Sequence, residues 1–394
     1  MTLFEQAIPD YNDYRPDTMP KAEYLLRSTR DPMQCVRNEL EAWFSRYPEA
    51  DKARMRGDFL SESDTQHESA FFELFLHEFL CCLGWSVQVH PPVAGTTRMP
   101  DFLCTQNDAS LYVEAKVATG RSVSEDAAVR RLETALGTIN RRVKSRRFYL
   151  GISTRGLPTT DIRGRDLAER LLRWLDSLDH ALCLERLPSG HVEHFVFEEA
   201  GCQITFDALA HREVNEDHER IIGISIFGHI GGWVAPHLTI RQAVEEKANA
   251  YGDLGAPYVI AINTHDMFTN IADDAIGALY GSEQYVVRTF ANGSSKTESA
   301  RMHDGSFGHS NRPRKQHVSG VLAFNNVGST ALSGAHEGIY VPHILTARPI
   351  NVPFPTINNF VYEDNQFRLV RGQSLTEIMG LPAGWPLHEG NDNA

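Results

Sequence analysis

The chain lacks the features that would place it in several large classes. No apolar run approaches the ~20 residues needed to span a bilayer, which excludes a helical membrane protein. The start, MTLFEQAIPDYNDYRPD, is acidic and aromatic, without the basic opening and apolar stretch of a secretory signal. The expected location is therefore the cytoplasm. Cys35, Cys81, Cys82, Cys104, Cys183 and Cys202 form no Cys-x-x-Cys pair, so neither a zinc ribbon nor a disulfide framework is expected. There is no Gly-x-Ser-x-Gly elbow. The segment Asn292–Thr297 has Phe290 and Ser295 where a phosphate-binding P-loop requires glycine. Positive charge is in short supply: the formal net charge is −13, which argues against a whole-surface affinity for nucleic acid.

What remains is a chain of 394 residues, 42% hydrophobic and 23% charged, long enough for two or three globular domains. The charge is unevenly spread. Between Arg121 and Arg165 eleven Lys/Arg face four Asp/Glu, a local +7 that includes Arg130, Arg141, Arg142, Lys144, Arg146 and Arg147. Between Arg288 and His317 the balance is +4. Such stretches often are solvated helix faces. Here Arg121, Arg130, Arg141, Arg142 and Lys144 are candidates for phosphate contact, because the first stretch directly follows the chemically loaded segment described next.

That segment is MPDFLCTQNDASLYVEAKVA, from Met99 to Ala118. Side chains alternate faces along a strand, so Glu114 and Lys116 share one face, while Val113, Ala115 and Val117 take the other. Pro100 fixes the entry to a preceding strand that begins at Asp101. If the two strands pair as a hairpin, Asp101 can approach the Glu114/Lys116 face. Mg²⁺ prefers hard oxygen ligands in octahedral geometry and retains water. Asp101, Glu114 and the Ala115 carbonyl supply such ligands, and Lys116 can orient water or stabilise charge developing on a phosphate. The bland alternative is a strand-end ion pair of Asp101 or Glu114 with Lys116. A second Glu-x-Lys, Glu245-Glu246-Lys247, has no Pro-Asp strand ahead of it and reads as a solvated helix face.

The surroundings are consistent with this. A helix is expected over 32–47. A longer one follows a capping-box pattern at Thr65–Glu68, with Phe72, Phe75, Leu76, Phe79 and Leu83 on one stripe, and stops at Gly84. Strands are expected at Trp85–Val89, Asp101–Thr105 and Leu111–Ala118, a helix from Ser124 to Lys144, and a strand at Phe148–Thr154. Further on, helices are expected at Arg165–Leu178, Ile240–Tyr251 and Asp273–Tyr280. Strand candidates are Val192–Phe197, Gln203–Phe206, Ile221–Phe227, Tyr258–Asn263, Val318–Phe324 and Ile339–Leu345. Residues 292–316 read as a long loop.

Pro100-Asp101 followed by Glu114-Ala115-Lys116, in the order helix, three strands, helix, strand, resembles the PD-(D/E)XK nuclease superfamily over residues 65 to 155. The resemblance implies an α/β fold: a restriction-endonuclease-like mixed sheet flanked by helices. Here it would lie at 61–180, with an N-terminal arm and helical extension at 1–60 and a C-terminal α/β region at 181–394 for substrate selection or oligomerisation. The family often adds a glutamate from the first helix, and Glu73 fits that place. Glu68 reads as the capping-box acid and Glu78 as solvent-facing. Some members carry a polar residue on the second helix, for which Asn140 is the nearest analogue. His77, one turn after Glu73, reads more readily as a hydrogen-bonded boundary residue than as a ligand. The resemblance implies Mg²⁺- or Mn²⁺-dependent hydrolysis of DNA phosphodiesters, with Asp101, Glu114 and Lys116 catalytic and Glu73 supporting the metal. DNA is the expected partner, RNA the other substrate class, and a second copy or partner subunit a further contact. By analogy the setting is bacterial defence or restriction. The rival reading is an inactive nuclease fold that binds nucleic acid or scaffolds other proteins.

Overall fold

The computed structural model describes the chain apart from residues 17–18, 94, 119–122, 190, 212–220, 227–235, 266–269, 290–294, 331–336, 351–352, 365, 383–384 and 387–394. At 123–126, 129–130, 133, 188, 222–226, 285–289 and 295–300 it describes the backbone alone. The chain opens with α1 (Lys21–Arg27), α2 (Asp31–Arg46), α3 (Lys52–Phe59) and α4 (Asp64–Cys82), then β1 (Ser86–Val89), β2 (Phe102–Gln106) and β3 (Ala109–Ala118). Next come α5 (Val123–Arg142), β4 (Phe148–Arg155), α6 (Gly164–Ser177), α7 (His180–Arg186), β5 (Glu193–Glu199), β6 (Cys202–Ala210) and β7 (Ile222–Ile226). The last part holds α8 (Pro236–Ala248), β8 (Tyr258–Thr264), α9 (Ile271–Tyr280), β9 (Glu283–Thr289), β10 (Ser295–Arg301), β11 (Gly308–His309), β12 (Arg312–Pro313), β13 (Gly320–Asn325), β14 (Gly338–Pro342), β15 (Asn358–Glu363), β16 (Gln366–Val370) and α10 (Leu375–Met379).

The chain forms two compact units. One comprises Met1–Arg15, Pro20–Gly120 and Ala235–Ala394; the other comprises Pro16–Met19 and Arg121–Val234. This differs from the 61–180 core expected from sequence. The helix α5 and strand β4, read as the second half of that core, belong to the second unit. Their sheet has the order β5-β6-β4-β7, packed with Leu132, Leu136, Ile139, Leu167, Leu171 and Phe206 in its core.

The first unit is built on an eight-stranded mixed sheet, β1-β2-β3-β8-β13-β14-β15-β16. β1, β2 and β3 form an antiparallel meander. β3 then runs parallel to β8, with Glu114 opposite Ile260 and Lys116 opposite Ile262. β8 is fully buried, as expected for a parallel strand covered on both faces. One face packs on α4, where Phe72, Phe75 and Phe79 meet Phe324 of β13 at ring separations of 5.8, 5.4 and 5.4 Å. The other packs on α8 and α9, where Ile240, Val244 and Ile276 cluster with Ile260, Ile262, Val321 and Ala323.

Several expectations need correction. The Thr65–Glu68 capping box does not form: α4 starts at Asp64 with no side-chain cap, and buried Glu68 instead accepts from Lys21 Nζ. Glu78 is not solvent-facing; it is 6% exposed and paired with Arg46 at 2.6 Å. Within 292–316 the described backbone contains β10, paired antiparallel with β9, and the short β11–β12 pair. Among the described residues no helix is long and apolar enough to cross a membrane.

α4 also carries a fully buried histidine. His67 contacts the Phe59 carbonyl through Nδ1 and Ser329 Oγ through Nε2 at 2.7 Å. Burial pulls its pKa down. The unfolded chain then takes up a proton near pH ~6.5 that the folded chain refuses, so the contribution of His67 to stability falls as pH drops below that value. Urea unfolding between pH 7.5 and 5 should show this loss, with a shallower slope in His67→Gln. Phe75→Ala should cost about 3–5 kcal/mol in the same measurement at neutral pH.

Candidate metal centre

Strand alternation sets the site. Glu114 and Lys116 take the sheet face covered by α8, opposite Ile260 and Ile262. Glu73 comes from α4, on the other face. Asp101 stands at the entry to β2, between them. Its Oδ2 accepts from Ala115 N at 2.7 Å, and its own N–H points to Glu114 Oε2 at 3.3 Å. Pairing of β2 with β3 thus brings Asp101 beside Glu114. The Ala115 backbone lies within the β3–β8 ladder opposite Ala261.

Glu114 is 3% exposed, and a buried carboxylate requires partners. They come from the segment read as a solvated face. Lys247 Nζ lies 2.6 Å from Glu114 Oε1, and the Tyr251 hydroxyl donates to Oε2 at 2.9 Å. Neighbouring Glu246 takes Lys116 Nζ at 2.8 Å, and Glu245 takes Lys315 at 3.0 Å. The pairing is reciprocal: the strand acid meets a helix base, and the strand base meets a helix acid. Lys116 therefore pairs with Glu246 and not with Asp101 or Glu114.

Glu73 is gripped by the N-terminal helices. Tyr47 donates to Oε1 at 2.7 Å, and Arg54 Nη2 lies 2.5 Å from the same atom. Arg54 Nη1 reaches Oε2 at 3.4 Å. His90, which nothing in the sequence singled out, completes the group. Donor atoms of Glu73, His90 and Asp101 lie within 4.8 Å of one another, the one such group of three among the described residues. His90 continues the β1–β2 ladder by donating its N–H to Asp101 O at 2.9 Å. It does so at φ +45°, a conformation costing about 1 kcal/mol or more for a non-glycine residue. His77 is buried against Tyr47, with ring centroids 4.9 Å apart.

Burial pushes the Asp101 carboxyl well above the usual carboxylate range, and Glu114 adds to this; Lys247 opposes it, Glu73 adds, and the Ala115 N–H opposes. Both Glu114 oxygens are held at short range, by Lys247 and Tyr251, whereas Glu73 keeps one oxygen whose protein contact is the longer 3.4 Å one from Arg54. The donors around Asp101 fit a metal: two carboxylates and an imidazole from three separate elements suit a divalent cation.

The candidate phosphate contacts lie in the second unit. Arg141 and Arg142 are exposed in the last turn of α5, and Lys144, Arg146 and Arg147 are exposed in the connection that follows. Arg121 lies outside the described residues, and at Arg130 the backbone alone is described. Asn140 is on α5, whereas the helix that leads into β8 is α8. Compared with family models, with curated proteins and with solved structures, the chain matches none.

The two lysines should behave differently. Glu114→Gln leaves Lys247 without its charge partner in a half-buried site and should cost about 3 kcal/mol in urea unfolding. Lys116→Ala removes an exposed pair and should cost less than ~1 kcal/mol.

Proposed function

We propose that the protein is a metal-dependent nuclease that hydrolyses phosphodiester bonds of DNA. One observation carries this: Glu73 and Glu114 approach Asp101 from the two sides of the sheet, and burial together with these two carboxylates raises the Asp101 pKa. A divalent cation would relieve that excess negative charge. The element order supports a restriction-endonuclease-like core, read as α4, β1, β2, β3, α8 and β8, with residues 121–234 inserted between β3 and α8. In that reading the second helix is α8, and its polar contributions are Glu246 and Lys247, with Tyr251 just beyond.

Glu73 and Asp101 would hold the metal. Glu114, held by Lys247 and Tyr251, lies next to Asp101. A bound Mg²⁺ or Mn²⁺ supplies Lewis acidity toward a phosphate and lowers the pKa of water. Lys116 shares an exposed and therefore weak ion pair with Glu246, so a phosphate oxygen can compete for its ammonium. The cluster Arg141, Arg142 and Lys144 suits the backbone of a polyanion. A role in bacterial defence or restriction rests on analogy with the superfamily.

The rival, an inactive nuclease fold that binds nucleic acid or scaffolds a partner, draws on a specific observation. Lys247 and Arg54 already place cations on two of the three carboxylates. Supercoiled plasmid should be cleaved with Mg²⁺ or Mn²⁺, not with EDTA, and at least ~100-fold more slowly by Asp101→Asn and Lys116→Ala. Wild-type protein that cuts neither DNA nor RNA with any divalent metal favours the rival. Replacing Arg141, Arg142 and Lys144 by alanine should weaken DNA binding and reduce the salt slope by about 1 for each phosphate that is no longer neutralised.

A further inference from the structure

His90 is the one member of the acidic centre that carries nitrogen, and its surroundings fix how it is presented. Its Nδ1 lies 3.2 Å from Asp51 Oδ1, at the start of α3. If that contact is Nδ1–H donating to the carboxylate, Nε2 is left with its lone pair. Nε2 faces Glu73, 3.7 Å from Oε1. A carboxylate behind an imidazole is the usual way in which a metal-ligating histidine is oriented and made more basic. The side chains of His90 and Asp51 are 21% and 25% exposed, so the group is accessible to an ion from solvent. On the Glu73 side, Oε1 is taken by Tyr47 and Arg54. Oε2 receives the longer Arg54 contact of 3.4 Å and is the oxygen better placed to ligate.

From this geometry we infer that Glu73, His90 and Asp101 form a mixed oxygen–nitrogen site selective for a first-row transition dication of the Mn²⁺, Fe²⁺ or Co²⁺ kind over Mg²⁺, with Asp51 as the residue that positions His90. The inference rests on the metal-dependent reading above and names its cofactor class. Mg²⁺ favours an all-oxygen shell and retains its waters, so an imidazole gains it little. First-row transition ions accept imidazole readily. In this arrangement Glu114 is not a ligand: it stays with Lys247 and Tyr251 and acts on the site through Asp101.

The test uses the full chain stripped of metal, with Mn²⁺ and Mg²⁺ alone as probes. The wild type should bind Mn²⁺ at least ~10-fold more tightly than Mg²⁺ by calorimetry, and the electron spin echo of bound Mn²⁺ should carry ¹⁴N modulation from one imidazole. His90→Asn suits a residue that must hold a positive φ, and its folding is checked by circular dichroism. It should abolish the modulation and weaken Mn²⁺ at least ~10-fold, while leaving Mg²⁺ within ~3-fold. Asp51→Asn should keep the modulation and weaken Mn²⁺ by a smaller factor. Bound Mn²⁺ without nitrogen modulation in the wild type, or modulation that persists in a folded His90→Asn protein, overturns the inference and leaves the metal-dependent reading intact. Failure of the wild type to bind either ion overturns both.

Discussion

A carboxylate buried inside a sheet needs a cation or hydrogen-bond donors to offset its lost hydration, and the first unit meets that requirement at Glu114 with both. Strand alternation sends this side chain into the interface between β3 and α8, next to apolar Ile260. Lys247 and Tyr251 answer it, and in doing so they fix the end of α8 against β3. α8 leads directly into β8, the strand that pairs with β3. The ion pair and the backbone ladder therefore specify the same register. Asp101 is then held between the two faces, bonded to Ala115 and adjacent to Glu114. The acidic centre follows from how a buried charge was accommodated.

Much of this was legible in short-range spacing. The phenylalanine stripe of α4 is set by helical period, and β1, β2 and β3 fall within a few residues of where alternation and turn signals put them. The approach of Asp101 to Glu114 also followed from reading two adjacent strands as a hairpin. The long-range partners were not legible. Lys247 lies 133 residues from Glu114, and a Glu-Glu-Lys run on a helix has the same local pattern whether it faces water or a buried acid. His90 gave no periodic signal, since its place depends on a positive φ at the end of β1 just before Pro91. Glu78 departs from expectation for a similar reason: helical phase places it on a side that α2 then covers through Arg46. β10, with the sequence SKTESAR, has no apolar alternation and so was hidden within a segment of loop-like composition.

The cations near the centre fall into two classes by burial. Lys247 sits against a carboxylate that is almost wholly removed from water, and Arg54 serves Glu73 in a comparable way. Lys116 is a third exposed, against a partner that is itself nearly half exposed. The first two are part of what keeps the fold electrically neutral where it is dry. The third is under no such obligation, and its ion pair is the more loosely held.

The insertion between β3 and α8 has a consequence for how the protein is made. β3 ends at Ala118 and its parallel neighbour β8 begins at Tyr258, with the whole of 121–234 between them. At translation rates of about 5–20 residues per second, the open edge of β3 must wait on the order of 10–30 s for its partner to leave the ribosome. A nascent strand edge in that state is a template for wrong pairing. The second unit is contiguous over Arg121–Val234 and can complete its own sheet during the wait. Synthesis and folding then run out of step: the middle of the chain closes first, and the sheet that carries the acidic centre, begun earlier, closes last.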